Sequence, residues 1–484
     1  MKEKKEKILE NVFIPAGENN LRLCNIYFDE KVQKVVPLTE CLFRWNEIQY
    51  EHQRKNLAAQ FLAGKIKDNV ISGNYLIAVP GGIDPHVHFN TPGFEFRDTF
   101  EEASLAAACG GVTTIIDMPC TSIPPVTNLE NFNVKLDAVK NKSYVDFAFW
   151  GGIPGNDFNA QRVERNVKEL VGAGVAGFKV YMISGMETFK DLSDEEILTA
   201  SRLVSETGKP LAVHAEDKKT INSALEKYYN AGLTGWQSYC YARSIKAESE
   251  AVRKLAAAAK QSGCRLHVVH LSSGEGLEII KRAAGEGLLL SAETCPHYLH
   301  FTQESFKDET VRNYLKTAPP VKLESDKEAL WRGLSDGSVI FITTDHAGCD
   351  PDKEKSSSDF SKVYGGIPGV EHRMPFLFSE GFLKGKIDLE KTINLLSTNA
   401  ANYFGLKGKG YIKEGYDADF ALIDLWTAYT VHGTDMHSKG KYTPFEGIKF
   451  NASVKKTFLR GNLIAEKNSG GNTAGIPAGK FIYV

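Results

Sequence analysis

Six residues with metal-binding or acid–base side chains stand at the ends of separate apolar runs. They are His86 and His88 in GGIDPHVHF, Lys179 in AGFKVYM, His214 in LAVHAED, His270 in RLHVVHLSS and Asp345 in SVIFITTDH. They are far apart in the chain, so they form a set only if the fold brings several strand ends to one rim. As a set they read as ligands of two divalent metal ions, the layout of a two-metal hydrolase.

His86 and His88 are two residues apart, which on an extended strand puts both rings on one face. Two imidazoles there suit zinc or another borderline divalent metal. Alone, the pair reads more readily as two core or surface histidines; His214, His270 and Asp345 at equivalent strand ends favour the ligand reading. Lys179 lies in an apolar run, where burial penalises the ammonium form. One reading pairs it with an aspartate. In the other, the neutral amine takes up carbon dioxide as a carbamate, which converts a buried cation into an anion able to bridge two metals. The histidines and Asp345 favour the carbamate. Three further readings concern neighbours: His267 falls on the other face of its strand and reads as structural, His346 reads equally as an outer group or a loop residue, and His297 and His300 read as structural.

A metal pair lowers the pKa of bound water from 15.7 toward about 7 and polarises a carbonyl, so a bridging hydroxide would attack an amide-type carbon. Asp345, a ligand with a free oxygen, would take the proton and hand it to the leaving nitrogen. The metals alone leave phosphoester hydrolysis open.

Positioning such a set requires repeated strand ends. From residue 76 onward β-rich runs alternate with helical stretches: 76–79, 113–118, 145–150, 177–181, 211–214, 266–270, 288–292 and 339–343. Eight such units predict a (β/α)8 TIM-type barrel over residues 76–405, whose catalytic groups sit at the carboxyl ends of the strands. The flanks, 1–75 and 406–484, alternate apolar and polar residues and are expected to share a small β-sandwich, with a polar helical insertion at about 41–70.

Composition narrows the class. The chain has 484 residues, 42% apolar and 24% charged, with net charge -2, enough for a large core plus a smaller domain. Dispersed Lys and Arg argue against a nucleic-acid partner. No apolar run reaches the length of a membrane span, and the basic start (Lys2, Lys4, Lys5, Lys7) has no signal-peptide core behind it, so the cytoplasm is the expected compartment. The eight cysteines form no CxxC pair and read as free thiols.

The ordered motifs PGGIDPHVHF, AAACGGVTTIIDMP, GFKVYM, VHAED, LHVVHLSSGEG, AETCPHYLHFT, KTAPPVK and TTDHAGCDPDKEK resemble the cyclic amidohydrolases, the group that holds allantoinases, dihydroorotases and hydantoinases or dihydropyrimidinases. The resemblance implies that His86, His88, carbamylated Lys179, His214, His270 and Asp345 bind the metals, with Asp345 also the general acid/base. It further implies a small cyclic amide or ureide as substrate and a homo-oligomer, possible as a tetramer. Departures bear on the substrate. At the positions where dihydroorotases hold a substrate carboxylate this chain has Asn90, Cys120 and Ala318, although Arg97 in PGFEFRDTFEEA offers a cation by another route. Where hydantoinases carry a tyrosine five residues after the lysine it has Ser184. Thr91 and the MPCT segment depart from allantoinases, yet the small residue and Gly185 after FKVYM, and the GIPAGKFI ending, bring the chain nearest to them. Asn90, Ser184 and Ala318 are thus the expected substrate contacts. Asn90 is a neutral donor and acceptor that suits a ureide better than a carboxylate, and equally a turn residue. A noncatalytic assembly scaffold is the reading from another class; such chains lose metal ligands, and this one keeps every one.

Overall fold

A computed structural model describes residues 6–17, 19–46, 48, 69–468 and 471–484. The helical insertion expected within 41–70 lies, for residues 49–68, outside the described residues.

Eight parallel strands follow one another around the barrel: Gly82–Val87, Val112–Asp117, Asp146–Phe149, Phe178–Tyr181, Leu211–His214, Leu266–Val268, Leu290–Thr294 and Phe341–Ile342. The third changes partner at Trp150. Its first part pairs with Val112–Asp117, and Gly151–Gly152 pairs with Phe178 and Lys179. Most of these strands are buried along their whole length, as expected for a parallel sheet covered by helices. The helices are fixed locally. Thr99 with Glu102 and Ser193 with Glu196 form capping boxes, and Gly174 and Gly263 end helices with φ of 89° and 65°.

The run at 76–79, expected as the first barrel strand, belongs elsewhere. Ile77–Pro80 pairs antiparallel with Phe420–Asp424 in a sheet built from both chain ends, and the first barrel strand begins at Gly82. In sequence the two strands follow one another with no polar residue between Ile77 and Ile83. Gly81 lets the chain pass between sheets, because a Cβ there would lie 2.2 Å from Thr113 Oγ1.

The terminal sheet has ten strands, with Lys7–Pro15, Asn20–Phe28 and Val32–Pro37 on one side of Ile77–Pro80 and Phe420–Asp424, Ser453–Leu459, Asn462–Asn468 and Gly471–Ala474 on the other. Phe28 and Phe420 are three strand spacings apart in that order, about 14 Å in a flat sheet. Their rings lie 5.3 Å apart, so the sheet curls over its own core, which includes Leu9, Phe28, Phe420 and Phe458. Sheet and barrel meet at Lys409, whose Nζ lies 2.6 Å from Asp146, 2.9 Å from Asp417 and 2.6 Å from Asp419.

The last strand returns to the first through a parallel bridge between Val87 and His346, with the His88 N–H donating to His346 O at 2.7 Å. Behind this seam Arg373 is fully buried. Its guanidinium donates to Ile83 O (2.7 Å), Ile342 O (2.8 Å) and Leu396 O (3.0 Å), with Asp84 at 3.9 Å. Arg373→Met leaves those carbonyls and a buried carboxylate without their donor, a loss of about 3–5 kcal/mol. A clear drop in thermal midpoint is expected, and an unchanged transition would show that the seam does not depend on Arg373.

Candidate active site

The six residues converge at the carboxyl ends of the barrel strands. His86 is the last residue but one of the first strand and His88 follows its end, with ring centroids 5.4 Å apart. Both Nε2 atoms lie 3.1 Å from Asp345 Oδ1, and the ligand atoms of His86, His88 and Asp345 all fall within 4.8 Å of one another. His270 lies beside His86 at 5.5 Å between centroids, and its Nε2 meets His214 Nδ1 at 3.0 Å. Lys179 stands on the strand between, paired with Ala212, and its Nζ lies 4.9 Å from the Tyr181 ring, which stacks on His214.

Backbone geometry turns some of these side chains off the strand direction. His270 and Asp345 have φ of 42° and 49°, and Asn90 has 28°. These left-handed values are uncommon for residues other than glycine and cluster at functional sites.

Carboxylates and hydroxyls fix the rings from behind. Glu293 engages His86 Nδ1 with one oxygen and His267 Nε2 with the other at 3.1 Å, and accepts from the His270 N–H at 3.4 Å. His214 Nε2 meets Glu216 at 2.8 Å, and Arg243 holds Glu216 in turn. His88 Nδ1 has Thr121 Oγ1 at 3.2 Å and Cys120 Sγ at 3.7 Å, and the same sulfur lies 3.1 Å from the Tyr181 hydroxyl. Partners of this kind set the tautomer and orientation of metal-binding imidazoles.

The inward atoms fit a metal pair. Among the described residues, Lys179 Nζ and His270 Nδ1 are buried and have no hydrogen-bond partner. Such groups are costly to bury unless something coordinates them. Burial pulls the Lys179 amine down to about 8, against the upward pull of Asp345, which brings the neutral form within reach. Burial raises Asp345, but the His86 ring and its neighbours outweigh it, so its carboxyl is held well below the usual range.

The expected substrate contacts differ in placement. Asn90 is fully buried; its Nδ2 donates to Gly348 O at 3.4 Å and its Oδ1 has no partner. Ser184 spends its hydroxyl on Phe189 O at 2.7 Å, inside its own loop. Ala318 is half-buried beside Pro319 and brings no polar side-chain atom. Arg97 supplies no free cation: two of its nitrogens bind Glu354, and its guanidinium lies 4.1 Å from the Tyr364 ring centroid. His346 is turned toward Asp98 and the Val370 N–H, which makes it part of the seam.

Glu216 and Glu293 were missed in the sequence. Glu216 was readable in HAED, two residues after His214, and Glu293 as a charge ending the run LSAET. Glu293→Gln removes the acceptor that orients His86, and should weaken metal affinity about 10–100-fold with the fold retained. Competition against a chromophoric chelator measures this; unchanged affinity would remove Glu293 from the metal site.

Comparison with known proteins agrees with this geometry. The amidohydrolase family model matches residues 77–464. The allantoinase of Rubrobacter xylanophilus is 38% identical over 85% of this chain and 88% of the relative, and that of Bacillus licheniformis is 34% identical over 83% and 88%. Among solved structures, the L-hydantoinase (dihydropyrimidinase) from Arthrobacter aurescens superposes with TM-score 0.87 at 28% identity, covering 99% of both chains. The dihydropyrimidinase from Brevibacillus agri NCHU1002 gives 0.84 at 26%, covering 99% of this chain and 98% of the other. With the motifs, the converging side chains and these matches in agreement, the chain belongs to the amidohydrolase family.

Proposed function

We propose that this protein is a metal-dependent hydrolase that opens a cyclic amide, with a five-membered ureide such as allantoin as its substrate. The observation that carries the reading is the meeting of His86, His88 and Asp345 on one side with His214 and His270 on the other, and Lys179 between them without a partner. Two divalent ions, zinc by the imidazole-rich donor set, would be held by these six residues, with Lys179 as a carbamate formed from carbon dioxide. When bound, the metal pair supplies Lewis acidity toward the scissile carbonyl and acidifies water.

The chain's own residues do the rest. Asp345 faces both His86 and His88 through Oδ1, which leaves Oδ2 to take the proton of the attacking water and return it to the leaving nitrogen. The buried Asn90 side chain pairs with the ureide. Ser184 and Ala318 make the pocket small and neutral there and leave a substrate carboxylate without a charged partner. The names of the 33–38% identical relatives support allantoin. The close superposition on hydantoinases and dihydropyrimidinases favours those rings as the second reading, ahead of dihydroorotate. A scaffold role fits poorly with a full ligand set. The reading also includes a homo-oligomer, a tetramer among the options, measurable by light scattering. It places the enzyme in the cytoplasm; no helix among the described residues is long and apolar enough to cross a membrane.

The metal- and bicarbonate-reconstituted protein should open allantoin in preference to dihydrouracil, hydantoin and dihydroorotate. Asp345→Asn should lower that rate by at least 100-fold, the scale of a lost general acid/base. Preference for another ring would move the substrate assignment, and turnover of none would return the scaffold reading. With 13C-labelled bicarbonate, NMR should show a carbamate carbon that disappears in folded Lys179→Ala together with activity. Full activity in that variant would sink the carbamate.

A further inference from the structure

The segment 243–248, which leads into the helix Ile245–Ser262, meets the chain just past both histidines on one side of the site. Arg243 holds Glu216, the partner of His214 Nε2. Ala247 O accepts the N–H of Asp217, shortly after His214, at 2.9 Å. Glu248 Oε1 accepts the N–H of Ser272, shortly after His270, at 2.9 Å and the Ser272 hydroxyl at 2.8 Å. One short stretch of chain therefore grips the exits of the fifth and sixth barrel strands.

Those exits set the separation of two donors. His214 Nδ1 and His270 Nε2 lie 3.0 Å apart. His270 stands past the end of Leu266–Val268 with a φ of 42°, so its aim depends on the turn around it. That turn is pinned on both sides. The Glu293 side chain takes the His270 N–H at 3.4 Å, the Glu293 carbonyl takes the Leu271 N–H at 2.8 Å, and Glu248 takes the next N–H along. Glu248 is placed there at a cost. It is 1% exposed and its Oε2 makes no hydrogen bond, although the buried Lys322 ammonium offsets part of its charge. A buried carboxylate with an unpaired oxygen lowers stability, and departures of that kind are expected at functional positions.

We propose that Glu248 is a positioning residue for the metal site: by tying the turn after His270 to the helix that also holds Asp217, it fixes His270 against His214 as joint ligands of one ion. This rests on the two-metal reading above. Loss of the carboxylate loosens His270 and lowers affinity for the ion on that side, and leaves the ion at His86, His88 and Asp345 in place.

Competition against a chromophoric chelator reads the two zinc affinities, and anomalous scattering from zinc-loaded crystals reads the two occupancies. In Glu248→Ala one affinity should fall about tenfold, with zinc depleted between His214 and His270 only. Glu248→Gln keeps an oxygen that accepts the same N–H and hydroxyl, and should bind both ions as the wild type does. A residue that merely supported the fold would lower the thermal midpoint and leave both zinc affinities unchanged. Should Glu248→Ala not fold, Ser272→Ala removes the hydroxyl contact alone and should weaken the same ion by about threefold or more. Wild-type affinity at both sites in the folded variants, or equal weakening of the two, would overturn the proposal. Fewer than two zinc ions on the wild-type chain would overturn the two-metal reading and this one with it.

Discussion

Burying Lys179 is the constraint on which the rest of the site depends. A fully buried ammonium with no hydrogen-bond acceptor is costly among four imidazoles, and burial lowers its pKa to about 8. The amine is then open to two courses, the neutral form or the proposed carbamate that the imidazoles and a metal would share. The surrounding groups suit the second course. Asp345 contributes negative charge from the eighth strand, and the histidines present ring nitrogens toward the same volume.

A metal site of this kind needs its donors aimed before the ion arrives, because rotatable rings lose entropy on binding. Here the aiming is done from the outer side. Glu293 serves three groups at once, His86, His267 and the His270 backbone. It therefore couples the first, sixth and seventh strands of the barrel at the height where the donors emerge. The left-handed backbone at His270 and Asp345 completes the arrangement by bending the chain where a regular strand would carry the side chain past the rim.

Much of this was legible in the sequence, for a physical reason. A polar residue at the end of an apolar run in an α/β protein lies at a strand end, so the six converging residues announced themselves by position. The strand pattern gave the barrel as well. It misplaced the first strand because IAVPGGI is apolar throughout, and only the close approach of Gly81 to Thr113 reveals a change of sheet. The partners that orient the donors were harder to read, since His86 and Glu293 are 207 residues apart and nothing local links them. Arg97 and Arg373 show the same limit: one is silenced by Glu354 and Tyr364, and the other is buried behind the seam although neither environment is written in its neighbours.

The junction at Lys409 has a consequence for how the molecule responds to its surroundings. Asp146, Asp417 and Asp419 come close enough to form a cation site, and the chain fills it with its own tethered ammonium. A covalently attached counter-ion cannot be extracted by a chelator or exchanged for a competing ion. The attachment of the terminal sheet to the barrel is thereby insulated from metal supply. A solution stripped of divalent ions leaves these three ion pairs in place, because the cation that makes them is part of the chain.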